Sequence, residues 1–282
     1  MQPVAYTESV SSATMPSEQE VKSFYETYSD RILDKRLRSP YPIRRYAHEA
    51  QYRAILAHID PGMSVLDAGC GEGSIGFLLA KKGMASTGVD LSAPNIERAK
   101  AEAVQLGVSE LCHFQVGDAE RLPVPDKSFD VVVSSHVLEH LPNFDAGWQE
   151  LCRVARKRII VALPTGFNLA ALALLGGDTA YWKFSKRSLI AIPWGILRTL
   201  YHFRGEGVQE GYAGKGELPH IWRFPWIVRK RLSHPDWKIV SYEASSLIIP
   251  YVSFLLSVVR LLDRFRRLPL VRYFGYGSTI VL

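Results

Sequence analysis

The 282-residue chain is poor in cysteine and has no uninterrupted apolar run long enough to span a bilayer. Its three cysteines, Cys70, Cys112 and Cys152, are too few and too widely spaced for a disulfide framework or a cysteine-type zinc cluster. The first twenty residues include acidic side chains and lack the apolar segment of a secretory signal. We therefore predict a disordered tail over residues 1–20 and a globular protein of a reducing, cytoplasmic compartment.

Acidic side chains are scarce in the second part of the chain. Residues 1–164 hold 18 Lys and Arg against 21 Asp and Glu, whereas residues 165–282 hold 16 against 7. Five of the six tryptophans also lie in the second part. Basic and aromatic side chains together are typical of surfaces that meet a membrane or an acidic partner. The composition therefore favours such a contact for the second part.

Short apolar runs alternate with helix-like segments between residues 63 and 164. The runs SVLDAGC, STGVDLS and FDVVVSSHV are each followed by a segment with helical spacing. Strands that alternate with helices indicate βαβ units. The sequence therefore predicts an α/β fold with a doubly wound, Rossmann-like, mostly parallel sheet and helices on both faces. In such a sheet, ligands bind beyond the carboxyl ends of the strands.

A glycine-rich turn follows the first predicted strand. Gly69, Gly71 and Gly73 separate this strand from its helix, and their missing side chains let the backbone approach a ligand. Asp90 ends the second strand about twenty residues later, where a carboxylate can accept both hydroxyl groups of a ribose. These features alone also fit a nicotinamide enzyme.

Two further acids discriminate between nucleotide ligands. Asp67 ends the first strand just before the glycines, where a carboxylate can receive a cationic amino group. Asp118 follows the third strand and can accept from an adenine amino group. Together the acids describe a pocket for an adenosine that carries an amino acid.

The ordered motifs VLDAGCGEGS, GVDLS and GDAERLPVPDKSFDVVVSSHVLEHL resemble the class I S-adenosylmethionine-dependent methyltransferases of the small-molecule, type 11 kind. The resemblance runs from Val65 to Pro164, with a weaker match in HIWRF and WKIVSYE. It implies S-adenosylmethionine as cofactor. The donor-binding residues that it implies are Asp67 with Gly69, Gly71 and Gly73 at the methionine part, Asp90 and Leu91 at the ribose, Asp118 and Ala119 at the adenine, and His136.

The stretch HVLEHLP contains the letters of a zinc-peptidase motif in His136, Glu139 and His140. A zinc peptidase needs both histidines on one helix face, whereas His136 ends a predicted strand. Some similar quinone-precursor O-methyltransferases bind a divalent metal through E-x-x-E-H, but His136 replaces the first acid. We therefore predict no metal.

The same stretch has two other interpretations. His140 or His136 would act as general base for an alcohol or phenol acceptor, and the resemblance makes His220 a third candidate. Alternatively, Glu139 and His140 cap the following helix and position the loop. By resemblance, Glu139 lies in the loop over the methyl group.

The resemblance also assigns the remaining segments. Residues 21–62 form an N-terminal helical lid, in which Tyr25 and Tyr28 line the site or simply pack against the second helix, and a break at Pro40 and Pro42 separates its helices. Residues 63–164 form the donor-binding core. Residues 165–219 form a substrate cap with a mobile glycine-rich loop.

Residues 220–282 complete the predicted core and include the apolar segment SLIIPYVSFLLSVVRLLDRFRRLPL. This segment is too short in its apolar run for a transmembrane helix. We predict an amphipathic helix whose basic end contains Arg260, Arg264, Arg266 and Arg267, suited to a membrane interface. The alternative is a core helix or a dimer helix.

The favoured function is O-methylation of an apolar or lipid-linked small molecule, such as a quinone, isoprenoid or glycolipid precursor, and a membrane surface is a candidate partner. One alternative is O- or N-methylation of a soluble secondary metabolite or sugar, with the apolar segments closing a pocket or a homodimer. Another is a donor-binding partner subunit without catalytic activity. The sequence disfavours a nucleic-acid acceptor, because no N-P-P-Y-type motif follows the fourth strand.

Overall fold

The computed structural model of the chain describes residues 17–28, 36–178, 182–210 and 220–282. Residues 1–16, 29–35, 179–181 and 211–219, which include most of the predicted tail and part of the predicted loop, lie outside the described residues. The strands are β1 Val65–Ala68, β2 Ser86–Asp90, β3 Cys112–Val116, β4 Phe129–Ser135, β5 Ala155–Pro164, β6 Gly207–Glu210, β7 His220–Arg223, β8 Ser241–Ala244 and β9 Gly277–Val281. The helices are α1 Glu18–Thr27, α2 Pro42–Leu56, α3 Ser74–Ala80, α4 Ala93–Gln105, α5 Phe144–Val154, α6 Leu169–Leu175, α7 Ser188–Tyr201, α8 Pro225–Arg231 and α9 Leu256–Leu262.

Within the described residues, seven strands form one sheet in the order β3-β2-β1-β4-β5-β9-β8. The strands β1 to β5 pair in parallel, and β9 runs antiparallel to both β5 and β8. The chain winds outward from β1 through β2 to β3, and from β4 to β5 on the other side. The reversal between β1 and β4 opens a cleft at the carboxyl ends of the strands. The predicted doubly wound α/β fold is confirmed.

Alternate residues of β4 pack on opposite faces of the sheet. Val132 lies in the core that includes Trp148 of α5, whereas Val131 and Val133 lie in the core that includes Ile75 of α3. Both faces are therefore covered by helices, which explains why the strand is a nearly continuous apolar run. This packing fixes the position of the strand ends on which the site is built.

The predicted break between the first two helices is shorter than expected. Pro42 is the first residue of α2, and the helix continues through Arg44 and Arg45 to Leu56. Proline is well tolerated at the first helical position, because its missing N–H has no partner within the helix there. The segment 42–46 is therefore helical, in contrast to the prediction from its two prolines.

The predicted long apolar helix near the C-terminus is wrong in its length. The segment is divided into the 3-10 turn Ser253–Leu255, helix α9 and the 3-10 turn Asp263–Phe265. The buried carboxylate of Asp263 accepts hydrogen bonds from the hydroxyl groups of Tyr46 and Ser246, at 2.8 and 2.9 Å. These tertiary bonds favour the 3-10 turn over a further turn of α-helix, and sequence periodicity contains no sign of them.

The insertion after β5 contains α6, α7 and strand β6. The residues GVQE, predicted as part of a loop, form β6 and pair antiparallel with β7 from Gly207↔Arg223 to Glu210↔His220. The hairpin places β7 beside the end of β4, because the Ile221 N–H donates to the Glu139 carbonyl oxygen at 3.1 Å. No helix in the described part of the chain is both long and apolar enough to cross a bilayer.

Candidate active site

A cavity of about 310 Å³ lies beyond the carboxyl ends of β1, β2, β3 and β4, with α1 across it. The predicted site residues that line it are Tyr25, Tyr28, Asp67, Gly69, Gly71, Asp90, Leu91, Asp118, Ala119, His136 and His140. Gly73 and Glu139 are not lining residues, although their chain neighbours Glu72, Ser74 and His140 are. His220 was predicted as a catalytic residue, but its side chain lies outside the described residues. The backbone of His220 is the first residue of β7. Sites of this size are typical of small molecules.

The turn after β1 contains three glycines of positive φ, Gly69, Gly71 and Gly73, and the last two have different roles. Gly71 has a φ of 53°, and a side chain there would meet no atom within 4 Å, so the backbone is open toward the cavity. Gly73 has a φ of 82°, but its Cβ would come within 2.6 Å of the Phe114 ring. Gly73 therefore shapes the turn and its packing, whereas Gly71 leaves space for a ligand.

Asp67 is a buried acid with an unsatisfied oxygen. Its Oδ1 has no hydrogen-bond partner among the described residues, although the side chain is only 3% exposed. Burial and the nearby Asp90 carboxylate raise the pKa of Asp67 to about 7. An unpaired buried carboxylate is costly unless a cation binds it. The amino group of the predicted donor supplies such a cation, so the residues present fit S-adenosylmethionine.

The raised pKa of Asp67 makes the stability of the ligand-free protein depend on pH. The folded state keeps the Asp67 proton up to pH 7, whereas the unfolded state loses it near pH 4. Proton binding by Asp67 therefore stabilises the folded state in acid. This contribution to the free energy of unfolding disappears as the pH rises through 7. The loss is roughly 1.4 kcal/mol per pH unit, or about 3 kcal/mol between pH 5 and pH 7. We expect urea unfolding to show that Asp67→Asn removes this decline.

The matched control for this experiment is Asp60→Asn, because Asp60 is an exposed acid outside the cavity. Unfolding of the Asp60 variant should follow the wild-type pH dependence. A wild-type pH dependence in Asp67→Asn would contradict the raised pKa of Asp67.

Asp90 connects the glycine turn to the loop after β2. Its Oδ2 accepts the Gly71 N–H at 2.8 Å, and its Oδ1 accepts the Ser92 N–H at 2.9 Å. Burial raises the pKa of Asp90, and the two N–H groups partly oppose this effect. The carboxylate is thus held rigidly at the end of β2, with its remaining lone pairs available to the two hydroxyl groups of a ribose.

Asp118 is bound by the N-terminal helix. Its Oδ1 accepts the Glu120 N–H at 2.8 Å, and its Oδ2 lies 3.0 Å from the Lys22 ammonium. Lys22 also pairs with Glu120 and with Glu18 of its own helix. The contacts with Glu18 and Asp118 raise the pKa of Lys22, so the lysine stays charged. Lys22 therefore connects α1 to the predicted adenine site, a role that the sequence did not suggest.

The C-terminal turn of α1 reaches the HVLEHLP stretch. The Tyr25 hydroxyl lies 2.7 Å from His140 Nδ1, and the Ser92 hydroxyl donates to the Tyr28 carbonyl oxygen at 2.6 Å. The rings of Tyr25 and Tyr28 contact each other, with centroids 5.9 Å apart. Burial, followed by the charge of Glu139, raises the pKa of Tyr25, so this phenol stays protonated. Both tyrosines thus lie over the cavity, as a lid requires.

His136 has an unusual backbone conformation at the end of β4. Its φ is 58°, and its N–H donates to the Ala162 carbonyl oxygen at 2.8 Å. A non-glycine residue in this region is strained, and such residues concentrate at functional sites. The conformation redirects the imidazole into the cavity, where its Nε2 lies 3.3 Å from Gln51 Oε1. The sequence identified His136 but gave no sign of the strain.

Glu139 is a buried carboxylate between two histidines. His136 Nδ1 lies 3.2 Å from Glu139 Oε1, an ion-pair distance. Burial acts to raise the pKa of Glu139, but the His136 contact and the charge of His140 outweigh burial and leave the pKa below its usual value. The carboxylate therefore stays ionised between the two histidines.

The capping interpretation of Glu139 and His140 is wrong. Helix α5 begins at Phe144, and its N-cap is Asn143, whose side-chain oxygen accepts the Ala146 N–H at 3.0 Å. Asparagine is a strong N-cap, so α5 needs no further residue there. Glu139 and His140 belong to the cavity wall and its support.

Sequence reasoning also missed two arginines. Arg36 and Arg44 line the cavity on the side of α2. Arg36 lies in a predicted helix, where basic residues are usually interpreted as a solvated face, and Arg44 lies in the predicted break between the first two helices. Neither position belongs to a recognisable motif. In the described part of the chain, no three His, Cys, Asp or Glu side chains are arranged to hold a metal ion.

Comparisons of sequence agree with this geometry. Residues 59–190 match the profile of a methyltransferase-domain family. A probable tocopherol O-methyltransferase of Oryza sativa subsp. japonica is 44% identical over 109 residues, which cover 38% of this chain and 30% of that protein. A sterol 24-C-methyltransferase of Gibberella zeae is 35% identical over 111 residues, which cover 38% and 29%. The matched region thus spans less than a third of either relative.

Solved structures share the fold over most of the chain. A protein of Pyrococcus horikoshii OT3 is similar with a TM-score of 0.55 at 17% identity, covering 90% of this chain and 98% of that one. An S-adenosylmethionine-dependent methyltransferase of Methanosarcina mazei is similar with a TM-score of 0.54 at 20% identity, covering 80% and 94%. Residues 59–190 thus match a methyltransferase domain, the sheet has the fold of a solved S-adenosylmethionine-dependent methyltransferase, and the residues of the site fit S-adenosylmethionine as the cofactor.

Proposed function

We propose that this protein methylates an oxygen atom of an apolar or lipid-linked small molecule, such as a quinone, isoprenoid or glycolipid precursor, at a membrane surface. Support for methyl transfer comes from the family of residues 59–190 and from the cavity acids. The observation that carries the acceptor class is an exposed apolar face on α7.

The protein's own side chains then contribute little to the chemical step itself. Bound S-adenosylmethionine supplies a methyl group that is already activated, so holding the acceptor in line provides most of the rate, roughly 7 to 11 kcal/mol for well-oriented pairs. Helix α1 excludes water from the cavity. The pair of His140 and Tyr25 receives the proton that an alcohol or phenol acceptor loses, and Glu139 stabilises the resulting imidazolium.

Helix α7 has its small residues inside and its large apolar residues outside. Ala191, Gly195 and Thr199 are buried, and a side chain at Gly195 would collide with the Leu172 carbonyl of α6. The outward residues form the apolar face: Leu189, Ile190, Trp194, Leu197, Leu200 and Tyr201, of which Ile190 is 72% exposed and Tyr201 84%. A helix that packs on a soluble core has the opposite arrangement, so this face needs a partner.

The charge around the apolar face favours an anionic bilayer as that partner. Residues 182–204 hold five Lys and Arg and no Asp or Glu. Lys183, Lys186 and Arg187 are exposed just before α7, and Arg204 is exposed just after it. Basic residues that flank large apolar side chains are typical of helices that lie in the headgroup region.

Helix α9 extends this surface. Ile192 of α7 packs in the same cluster as Val259 of α9, and the Phe184 ring contacts the Tyr251 ring with centroids 6.0 Å apart. The α9 region exposes Phe254, Leu261, Phe265 and Leu270. Residues 254–272 also hold five arginines, and their one acid, Asp263, is buried. The predicted basic and apolar segment therefore supports the same contact with an anionic bilayer, although its helical elements are shorter than predicted.

The names of relatives agree in part with this acceptor class. Two are named for tocopherol and for a sterol, which are apolar molecules, and a third is an ajmaline N-methyltransferase of Rauvolfia serpentina, 37% identical over 93 residues. The choice of oxygen rests on the His140–Tyr25 pair, since a hydroxyl acceptor must lose a proton.

The proposal is tested with labelled S-adenosylmethionine, the purified protein and membranes of the native host. We expect the label in the organic phase after extraction. We also expect the double variant Ile190→Glu/Leu197→Glu to lose about tenfold or more of this transfer on intact membranes, because two charges oppose insertion of the apolar face. Transfer should return when the same lipids are dispersed in detergent.

Val104→Glu is the matched control, because Val104 is an exposed apolar residue of α4, 70% exposed, outside this surface. It should behave as the wild type. Label in the aqueous phase would overturn the proposal in favour of a soluble metabolite or sugar. Equal transfer by the double variant and the wild type would make the apolar face a dimer interface, which the oligomeric state in solution would then reveal.

A further inference from the structure

Helix α2 has a row of nitrogen donors on one face. Arg44, His48 and Gln51 are spaced by four and three residues, which places them on the same side of a helix. Arg44 Nε, His48 Nε2 and Gln51 Nε2 are buried and have no hydrogen-bond partner among the described residues. Buried donors are nearly always satisfied in folded proteins, so three in a row indicate a missing acceptor.

Two arginines, one of them from this row of donors, lie at the cavity. Arg44 and Arg36 both line it. Gln51 also contacts His136, which lines the same wall. In the described ranges, no carboxylate forms an ion pair with Arg36 or with Arg44. Their charges are therefore uncompensated within this part of the protein.

His48 lies in a buried environment that also contains positive charges. Burial lowers the pKa of His48 well below its usual value, and the charges of Arg36, His136 and Arg44 lower it further. A neutral His48 can still donate one hydrogen bond. The wall thus combines two permanent cations with neutral donors, which is the composition of an anion site.

We propose that the acceptor carries an acidic group, a phosphate or a carboxylate, and that Arg36 and Arg44 bind this group at the side of the cavity next to α2. This inference rests on the proposed function and deepens it. The acceptor then has an apolar part and an anionic end, and the anionic end fixes which hydroxyl faces the methyl group. Arginine binds such groups through paired, parallel hydrogen bonds, and lysine cannot reproduce that geometry.

Arg44 connects the cavity to the insertion after β5. Its guanidinium lies over the Trp182 ring at 5.5 Å, in the insertion after β5. The acids that fit the donor lie at the ends of β1, β2 and β3 instead. The donor has a single carboxylate, and one guanidinium can bind it through two parallel hydrogen bonds, which leaves the second arginine able to bind a second anion.

The first experiment measures binding rather than turnover. Dodecyl phosphate, dodecanoate and dodecanol are titrated into the protein saturated with S-adenosylhomocysteine, and inorganic phosphate is titrated alone. We expect the two anions to bind at least tenfold more tightly than the alcohol. Arg36→Gln/Arg44→Gln should remove at least tenfold of that preference and change the affinity for S-adenosylhomocysteine less than twofold.

Arg53→Gln is the matched control, since Arg53 is an exposed arginine of the same helix. It should bind all ligands as the wild type does. A tenfold weaker binding of S-adenosylhomocysteine to the double variant would overturn the inference, because the arginines would then hold the donor's carboxylate. Equal wild-type binding of dodecanol and dodecyl phosphate would also overturn it. Strong binding of inorganic phosphate alone would mean that the site binds a free anion and not the anionic end of the acceptor.

The two proposals fail in different ways. Suppose that the wild type labels an organic-phase acceptor and that Arg36→Gln/Arg44→Gln does so with the same KM. The inference that the acceptor carries an acidic group is then wrong, and the proposed function stands. If the wild type transfers no methyl group to any lipid but binds dodecyl phosphate selectively, the proposed function is wrong and the anion site stands.

Discussion

We expect Asp90→Ala to abolish detectable binding of S-adenosylhomocysteine in titration calorimetry, at concentrations that saturate the wild type. The carboxylate is the predicted acceptor for both ribose hydroxyl groups, and hydrogen bonds to a charged group contribute about 1.5–3 kcal/mol each. The same carboxylate also holds the Gly71 and Ser92 N–H groups, so its loss loosens the turn under the donor. The combined effect should exceed a factor of about 10² in affinity.

The loss must be separated from a general loss of structure. Glu97→Ala is the matched control, because Glu97 is an exposed acid of α4 next to the same loop, and its affinity should be unchanged. Asp90→Asn keeps one oxygen to accept a backbone N–H, so it should bind more weakly than the wild type and more tightly than Asp90→Ala. Tight binding by a folded Asp90→Ala would refute this placement of the ribose.

The core of the fold was predictable because its strands are short, apolar and separated by turn signals. The run that contains Val131 to Val133 could only be a strand buried on both faces, and its neighbours repeat the pattern. Where tertiary contacts override local periodicity, the prediction failed. Asp263 fixes a 3-10 turn through Tyr46 and Ser246, whose partners are far away in the sequence.

The candidate site was predictable where residue type and strand position are both diagnostic. Asp67, Asp90 and Asp118 each follow a strand, so a parallel sheet must bring them to one edge. Lys22 and Arg44 were missed, because a cation in a helix has no local signature of a buried partner. The outward apolar face of α7 was also missed, since its direction depends on the close packing of Gly195 against α6.

His140→Ala should lower kcat about 10²-fold or more while the affinity for S-adenosylhomocysteine stays within twofold of the wild type. His140 lies at the cavity wall, bonded to Tyr25 and next to ionised Glu139, so it can hold the acceptor's proton as a stabilised imidazolium. Because the pKa of Tyr25 is raised, the phenol cannot replace His140 as the base. Tyr25→Phe should also lose activity, because it removes the hydrogen bond to His140, but the effect should be smaller, since the imidazole remains.

His113→Ala provides the control, since His113 is an exposed histidine of β3 outside the cavity, and its kcat should be that of the wild type. A loss below tenfold in His140→Ala would assign the histidine to positioning of the loop. The pH profile decides between the two roles: if His140 is the base, the rise of kcat with pH disappears in His140→Ala and persists in Tyr25→Phe. If His140 only positions the loop through its bond to Tyr25, both variants should keep the wild-type profile and lose activity to a similar extent, because each removes the same 2.7 Å contact.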